Sequence, residues 1–276
     1  MELGRYGVWI HKDRLDERLA QEIEALGYGA IWVGASPTGE LSPVPAVLAA
    51  TERIVVTTGV VNMWATPPEE AAAAYHRLAD AFPGRFLLGT GIGHRESSAQ
   101  YRSPYETIVD YLDRLAAAGV PAGDQVLAAL GPRVLRLAGE RTRGAHPYFT
   151  TPDHTRFART QLGAGPLLAP EQKIVLNTDP AAARAIGRPT VSYYLGRVNY
   201  RNNLKRFGWT DADLADGGTD AVADALVVHG DAAALAAGLD AHLAAGADHV
   251  CAQVLTEPGG DPLPALTAVA RELGLG

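Results

Sequence analysis

Short apolar runs alternate with helical segments along almost the whole chain, and this alternation is the main structural signal in the sequence. The runs are rich in β-branched and aromatic residues, whereas the segments between them carry apolar residues three or four positions apart. Because such alternation implies parallel strands joined by helical crossovers, the predicted fold class is α/β, a (β/α)8 TIM barrel. The eight predicted strands cover residues 6–10, 30–33, 54–58, 85–88, 125–130, 145–149, 172–177 and 250–255.

The same junction between a helix and the next strand recurs along the chain, which indicates that the strands and helices belong to one domain. A helix is followed by glycine and then by a strand at Gly27, Gly119 and Gly246, where a left-handed helix cap is expected. We therefore predict a single domain over residues 1–276. The stretch at about 179–228 shows helices but no clear strand, and it is interpreted as a helical insertion between strands seven and eight.

The stretch from Phe82 to His94 is where the chemistry is expected. Its strand, the fourth, ends in Gly-Thr-Gly-Ile-Gly and a histidine, and barrels place their active sites at such carboxyl ends of strands. The alternative fold is a doubly wound dinucleotide-binding sheet, whose glycine fingerprint would follow the first strand. That strand ends instead in His11 and Lys12, so the barrel is favoured.

Composition narrows the classes of partner. The formal net charge is -7, which argues against nucleic acid and anionic membranes as partners and leaves a small-molecule substrate. The single cysteine, Cys251, excludes an internal disulfide, and no signal peptide is evident, so a cytoplasmic protein is expected. No H-x-H, H-E-x-x-H or G-x-S-x-G motif occurs, so neither a metal site nor a nucleophile elbow is expected.

Two segments taken together resemble the bacterial luciferase-like oxidoreductase superfamily. They are Arg53 to Pro67, RIVVTTGVVNMWATP, and Ala79 to Gly93, ADAFPGRFLLGTGIG. Residues 145–148, 165–172 and 245–250 resemble an actinobacterial, F420-dependent subgroup of that superfamily. The resemblance covers almost the whole chain, and it implies a TIM barrel that binds coenzyme F420 or FMN at its carboxyl-terminal mouth.

The resemblance also implies an activity. The expected function is an F420-dependent oxidoreductase that transfers a hydride between the deazaflavin cofactor and a small organic substrate. Two alternatives remain on the same barrel, an FMN-dependent monooxygenase and a non-catalytic relative that only binds the cofactor. Because relatives are commonly dimers, a homodimer is expected.

Cofactor-binding residues follow from the same resemblance. A cis peptide is expected at Gly59–Val60, behind the cofactor ring, and Asn62 is placed to contact the ring edge or the ribityl chain. The first helical turn after Gly131 could receive a phosphate, because its free N–H groups favour anions. The other positions assigned to cofactor binding are Ser36, Ile92, Gly93 and Pro132.

The catalytic residue is less clear, because the chain departs from the subgroup. Several F420-dependent members carry Asp-His after strand two, where this chain has Ala35 and Ser36. The remaining candidates for proton transfer are His94, at the tip of the glycine-rich loop, and His11, at the end of strand one. Each could equally be an ordinary loop residue.

Aromatic residues are expected around the pocket. His146 and Tyr148 end strand six, and one of them should line it. The insertion adds four aromatic residues that either form an apolar lid or pack the insertion onto the barrel: Tyr193, Tyr194, Tyr200 and Trp209.

Overall fold

A single curled, mostly parallel sheet surrounded by helices forms the centre of the protein. The structure is a computed structural model and describes residues 1–93 and 103–276. The strands are β1 (Tyr6–His11), β2 (Ala30–Gly34), β3 (Val55–Thr58), β4 (Val61–Asn62), β5 (Phe86–Gly91), β6 (Gln125–Leu127), β7 (Gly144–Ala145), β8 (Leu167–Leu168), β9 (Glu171–Leu176), β10 (Val227–Gly230) and β11 (Val250–Val254).

Helices follow the strands in the alternating order that the sequence predicts. They are α1 (Glu17–Ala25), α2 (Val44–Ala50), α3 (Pro68–Ala81), α4 (Pro104–Ala117), α5 (Pro132–Arg141), α6 (Pro152–Leu162), α7 (Pro180–Leu195), α8 (Val198–Arg206), α9 (Asp220–Leu226), α10 (Ala232–Ala244) and α11 (Leu263–Glu272). In the described parts of the chain, no helix combines the length and apolar character needed to span a membrane.

The order of the strands shows how the barrel closes. Neighbouring strands run β10-β9-β11-β1-β2-β3-β5-β6-β7-β8, and β4 also pairs with β5. Because β8 and β9 are consecutive pieces of one stretch, residues 167–176, the strand at one end of this order continues directly into the second strand at the other end. The predicted (β/α)8 barrel is therefore confirmed.

Two of the predicted strands are accompanied by a short strand that the sequence did not predict. The third, predicted over 54–58, is β3; the additional strand β4 follows it after Gly59 and Val60, and both pair with β5. The seventh, predicted over 172–177, is β9; the additional strand β8 precedes it and ends before Ala169 and Pro170, where proline supplies no N–H to a ladder. Here β8 pairs with β7, whereas β9 pairs with β11 on one side and β10 on the other.

The insertion differs from its prediction. A strand missed by sequence analysis, β10, ends it and pairs with β9 in parallel, Val227 opposite Lys173. This apolar run is very short, which explains why it was overlooked. His229 lies in this strand. The predicted helices of the insertion include α7 and α8, which are separated at Gly196 and Arg197.

Helix starts follow capping chemistry more closely than apolar spacing. α1 begins at Glu17, because the Asp16 carboxylate accepts a hydrogen bond from Leu19 N. Inside the barrel a cluster of buried residues fills the space between the strands, with Trp32, Leu87 and Val126 at its centre. The interior is thus a packed core, and space for a ligand remains at the mouth.

Candidate functional site

A cavity of about 480 Å³ opens where the carboxyl ends of the strands meet. Residues far apart in the sequence line it, because the lining comes from the carboxyl ends of several parallel strands and from the insertion. Seven of the eight residues predicted to bind a cofactor lie in its wall: Ser36, Gly59, Val60, Asn62, Ile92, Gly93 and Gly131. The volume falls within the range of about 300–1,000 Å³ that is usual for small-molecule and cofactor sites.

Three predicted site residues are not placed in this wall. Pro132 begins α5 and lies outside the lining. His11 also lies outside it, and its Nδ1 accepts a hydrogen bond from the backbone N–H of Asp13, at 3.3 Å. His94 lies outside the described residues, so its proposed role in proton transfer stays a prediction, as does that of His11.

The bulge between β3 and β4 forms one wall of the cavity. The expected cis peptide at Gly59–Val60 is present. The indole of Trp9 donates a hydrogen bond from Nε1 to the carbonyl oxygen of Gly59, at 3.2 Å. A Cβ atom on Gly59 would lie 3.1 Å from Trp9 Nε1 and 3.5 Å from His146 Nε2. The missing side chain thus keeps this wall flat and leaves backbone exposed to the cavity.

Asn62 and Gly93 form the neighbouring part of the wall. The Asn62 side-chain oxygen accepts a hydrogen bond from Trp64 N, at 2.9 Å, which fixes the orientation of the amide. Gly93 has a φ of +67°, and a Cβ there would lie 2.8 Å from the Asn62 amide nitrogen. Both the backbone conformation and the available space therefore require glycine at position 93.

The turn after β2 carries the residues that stand in place of Asp-His. Ala35 and Ser36 both have positive φ, 63° and 49°, and both line the cavity. Two consecutive non-glycine residues in the left-handed region are uncommon, and such backbone is concentrated at functional sites. The turn presents a serine hydroxyl where an imidazole was expected from the subgroup.

His146 is the most buried titratable residue in the lining. It is 2% exposed, and its ring stacks on Trp32 with centroids 4.2 Å apart. Its Nδ1 lies 2.7 Å from the carbonyl oxygen of Ala169. Burial lowers the pKa of His146 to about 4, and the hydrogen bond to Ala169 opposes this only in part. The ring is thus neutral at physiological pH.

Aromatic side chains cover the cavity, as the sequence predicts. Tyr193, Tyr194 and Tyr200 of the insertion line it together with Tyr148, whereas Trp209 does not. The Tyr148 hydroxyl donates a hydrogen bond to Gln253 Oε1, at 2.9 Å. Tyr200 and Tyr194 also pack in the core of the insertion, so the two alternatives left by the sequence are combined, and Tyr193, 56% exposed, is the most exposed of the three.

Sequence analysis missed a buried ion pair behind this aromatic group. Glu171 and Lys173 are each 1% exposed, and Lys173 Nζ lies 2.8 Å from Glu171 Oε2. The ammonium group also lies over the Tyr148 ring, 3.9 Å from its centroid. A signal was available, because two opposite charges at alternate positions of a strand share one face, and in a barrel that face can be the interior.

Comparisons with known proteins show which family model and which solved structures the chain resembles. The family model described as luciferase-like monooxygenase matches residues 14–119. No curated protein sequence matches the chain. The fold resembles that of an F420-dependent secondary alcohol dehydrogenase in complex with an F420-acetone adduct, with 12% identity, 99% of each chain covered and a TM-score of 0.77.

Two further solved structures share the fold over the whole chain. One is the coenzyme F420 dependent tetrahydromethanopterin reductase from Methanopyrus kandleri, with 15% identity, 100% of each chain covered and a TM-score of 0.71. The other is the FMN-bound oxygenating constituent of 3,6-diketocamphane monooxygenase from Pseudomonas putida, with 14% identity, 98% of each chain covered and a TM-score of 0.66. The predicted resemblance to luciferase-like oxidoreductases is therefore confirmed, by the family match over residues 14–119 and by the fold of the whole chain.

Proposed function

We propose that the protein is an F420-dependent oxidoreductase that transfers a hydride between the deazaflavin and a small organic substrate held in the same cavity. The main support is the wall formed by Gly59 and Val60, where flat, uncovered backbone meets a cavity of suitable size. The redox class is supported by the luciferase-like match. The choice of F420 over FMN rests on the resemblance at residues 145–148, 165–172 and 245–250.

The residues present fit a flat ring system with a chain attached. Glycines at 59, 93 and 131 leave space that a Cβ would fill, and Ile92 adds an apolar surface. The Gly131 end of α5 offers free backbone N–H groups, because it has no side-chain cap, and these suit an anionic group on the chain. The cofactor, when bound, would supply the hydride-accepting or hydride-donating ring carbon.

The protein's own contribution is positioning and the exclusion of water. Trp9 holds the bulge through its hydrogen bond to Gly59. The tyrosines of the insertion cover the opening with aromatic surface, so a substrate beneath them would be shielded from solvent. Tyr194 of the insertion packs edge to face against Tyr148 of the barrel and Tyr200 of the insertion, with ring centroids 5.1 Å and 5.2 Å away.

Binding titrations with oxidised F420 and, separately, with FMN test this proposal. We expect F420 to bind in the micromolar range or tighter and to become reduced when a suitable alcohol or other hydride donor is added. Binding of FMN alone, with oxygen consumption when the FMN is reduced, would favour the luciferase-like monooxygenase instead. Binding of neither cofactor would overturn both.

Replacing Gly131 with leucine provides a variant that blocks the cavity. Among the described residues, no atom lies within 4 Å of a Cβ built there, and the φ of −87° suits any residue, so the fold should tolerate the change. The new side chain would occupy the cavity, and we expect the dissociation constant for the cofactor to rise at least tenfold. Titration of the purified variant, with a thermal melt to check folding, measures this.

Gly123→Leu is the matched control. Gly123 is equally open, with no described atom within 4 Å of a Cβ, but it does not line the cavity. It should bind the cofactor as the unmodified protein does. Equal affinity in Gly131→Leu and Gly123→Leu would place the cofactor elsewhere.

A further inference from the structure

The protonation of the His146 ring can be read from its contacts. A carbonyl oxygen only accepts hydrogen bonds, so the Nδ1 atom that faces Ala169 O must carry the hydrogen. Because burial keeps the ring neutral, the other nitrogen, Nε2, carries no hydrogen and presents a lone pair. His146 is therefore a hydrogen-bond acceptor of fixed tautomer in the wall of the cavity.

This acceptor has no partner among the described residues. Nε2 is buried, and no donor from residues 1–93 or 103–276 is within hydrogen-bonding distance. It lies next to the flat wall, because a Cβ on Gly59 would be only 3.5 Å away. Ten buried side-chain atoms in the described residues have no partner, and Nε2 is the one among them whose residue lines the cavity. Because buried polar atoms in folded proteins usually have a partner, a donor on the occupant of the cavity would complete this one.

The surrounding donors cannot turn to fill this role without breaking bonds that they already make. Three aromatic side chains around the ring each donate to another acceptor: Trp9 Nε1 to Gly59 O, Trp32 Nε1 to His249 Nε2, and the Tyr148 hydroxyl to Gln253 Oε1. A molecule that enters the cavity is therefore a suitable source of the missing donor.

We propose that His146 Nε2 accepts a hydrogen bond from the imide N–H of the cofactor ring, the donor on the pyrimidinedione edge that flavins and deazaflavins share. This inference rests on the proposed function. A flat ring lying against Gly59 and Val60 brings an edge to this nitrogen, and the imide N–H is the donor on that edge. A carboxylate or phosphate in the same place would meet a lone pair and be disfavoured.

A pair of ring analogues tests the hydrogen bond without any turnover. 5-Deazalumiflavin carries the ring without the phosphate-bearing chain, and its N3-methyl derivative lacks only the imide hydrogen. We expect the unmodified protein to bind the parent ring at least tenfold more tightly than the methylated ring, measured by fluorescence titration. The same comparison with lumiflavin and N3-methyl-lumiflavin shows whether a flavin ring makes the same contact.

His146→Asn is the matched variant. Its side-chain amide can still donate to Ala169 O, as Nδ1 does, but it presents nothing at the position of Nε2. We expect the preference for the parent ring over the methylated ring to fall to less than twofold. If His146→Asn still prefers the parent ring, another residue accepts the hydrogen bond from the imide N–H. If the unmodified protein shows no preference for the parent ring, the proposal is overturned.

A measurement on the unmodified protein covers the case in which His146→Asn does not fold. In histidine-labelled protein, the ¹⁵N resonance of an unprotonated imidazole nitrogen moves upfield when it accepts a hydrogen bond. We expect such a shift for one buried histidine on addition of 5-deazalumiflavin, and none on addition of the methylated ring. Cofactor binding without this shift would overturn the role of His146 alone, whereas failure of F420, FMN and both rings to bind would overturn the proposed function itself.

Discussion

Replacing Lys173 with methionine is expected to lower the free energy of unfolding by about 3–5 kcal/mol, because it leaves the Glu171 carboxylate buried without a counter-charge. Both side chains are 1% exposed, and they contact each other at 2.8 Å. Burial opposes ionisation of both, raising the pKa of Glu171 and lowering that of Lys173. Each charge is therefore tolerated only because the other is present.

Among the described residues, the neighbours of Glu171 and Lys173 offer little that could stabilise either charge if its partner were removed. Glu171 Oε2 accepts from Phe149 N at 3.2 Å, while Oε1 has no partner among the described residues. Lys173 Nζ is otherwise surrounded by aromatic rings, including those of Tyr148 and Tyr194. An isolated charge at this position would thus remain in a nonpolar region of the protein.

The double variant Glu171→Gln with Lys173→Met separates charge from packing. It removes both charges while keeping side chains of similar size, so we expect stability within about 1–2 kcal/mol of the unmodified protein. Chemical denaturation of the two single variants and the double variant gives the coupling energy. A loss below about 1 kcal/mol for Lys173→Met would show that Glu171 simply takes up a proton when unpaired.

Acidification from pH 7 to pH 5 is expected to remove most of the stability of the fold. Four buried histidines have a lowered pKa, and for each the largest cause is burial: His146, His154 and His249 at about 4, and His242 at about 3. A lowered pKa means that the unfolded chain binds more protons than the folded protein between about pH 4 and pH 6.5. Stability is therefore retained above about pH 6.5 and falls as the pH falls through this window.

The size of this effect is comparable to the total stability of a typical domain. At pH 5 each of these histidines disfavours the folded state by about 2 kcal/mol, or about 8 kcal/mol together, against a usual total of about 5–15 kcal/mol. Burial is the main reason why protonation is resisted, and at His249 a hydrogen bond adds to it. His249 Nε2 accepts from the Trp32 indole, and an added proton would break this contact.

Unfolding free energies measured by denaturant at pH 8, 7, 6 and 5 test this prediction. We expect little change between pH 8 and 7 and a steep decline below pH 6.5. In His154→Phe, one proton-binding residue is absent, so the decline should be shallower by up to about 1.4 kcal/mol per pH unit, whatever the stability at pH 8. A stability that stays flat down to pH 5 would contradict the prediction.

The barrel could be predicted from the sequence because its signals are local. Runs such as 54–58 and 250–255 are apolar and β-branched, and the capping glycines repeat between them. The wall of the cavity was also predictable, but only through resemblance. Periodicity alone says nothing about a cis peptide at Gly59–Val60, or about which strand ends face one another across the mouth.

The parts that could not be predicted depend on tertiary contacts between distant residues. One of His146 and Tyr148 was expected to line the pocket, and both do, but the free Nε2 of His146 follows from the orientation set by Ala169 and Trp32. The pairing of Glu171 with Lys173 was visible as spacing, yet burial decides its importance, and burial depends on Tyr148 and Tyr194 above it. Strand β10 is defined by its partner β9 and has little signal of its own.

The pairing of β10 with β9 has a consequence for how the insertion could be altered. The insertion departs after Leu176 and returns through Val227–Gly230, which pairs with the same strand, Lys173 to Leu176, that it left. The strands at its two ends are thus hydrogen-bonded to each other beside the mouth of the barrel, so both ends of the insertion are attached to the same part of the sheet. Residues between these anchor strands could be shortened, lengthened or exchanged to change the selectivity of the pocket, while the barrel and its cofactor wall keep their register.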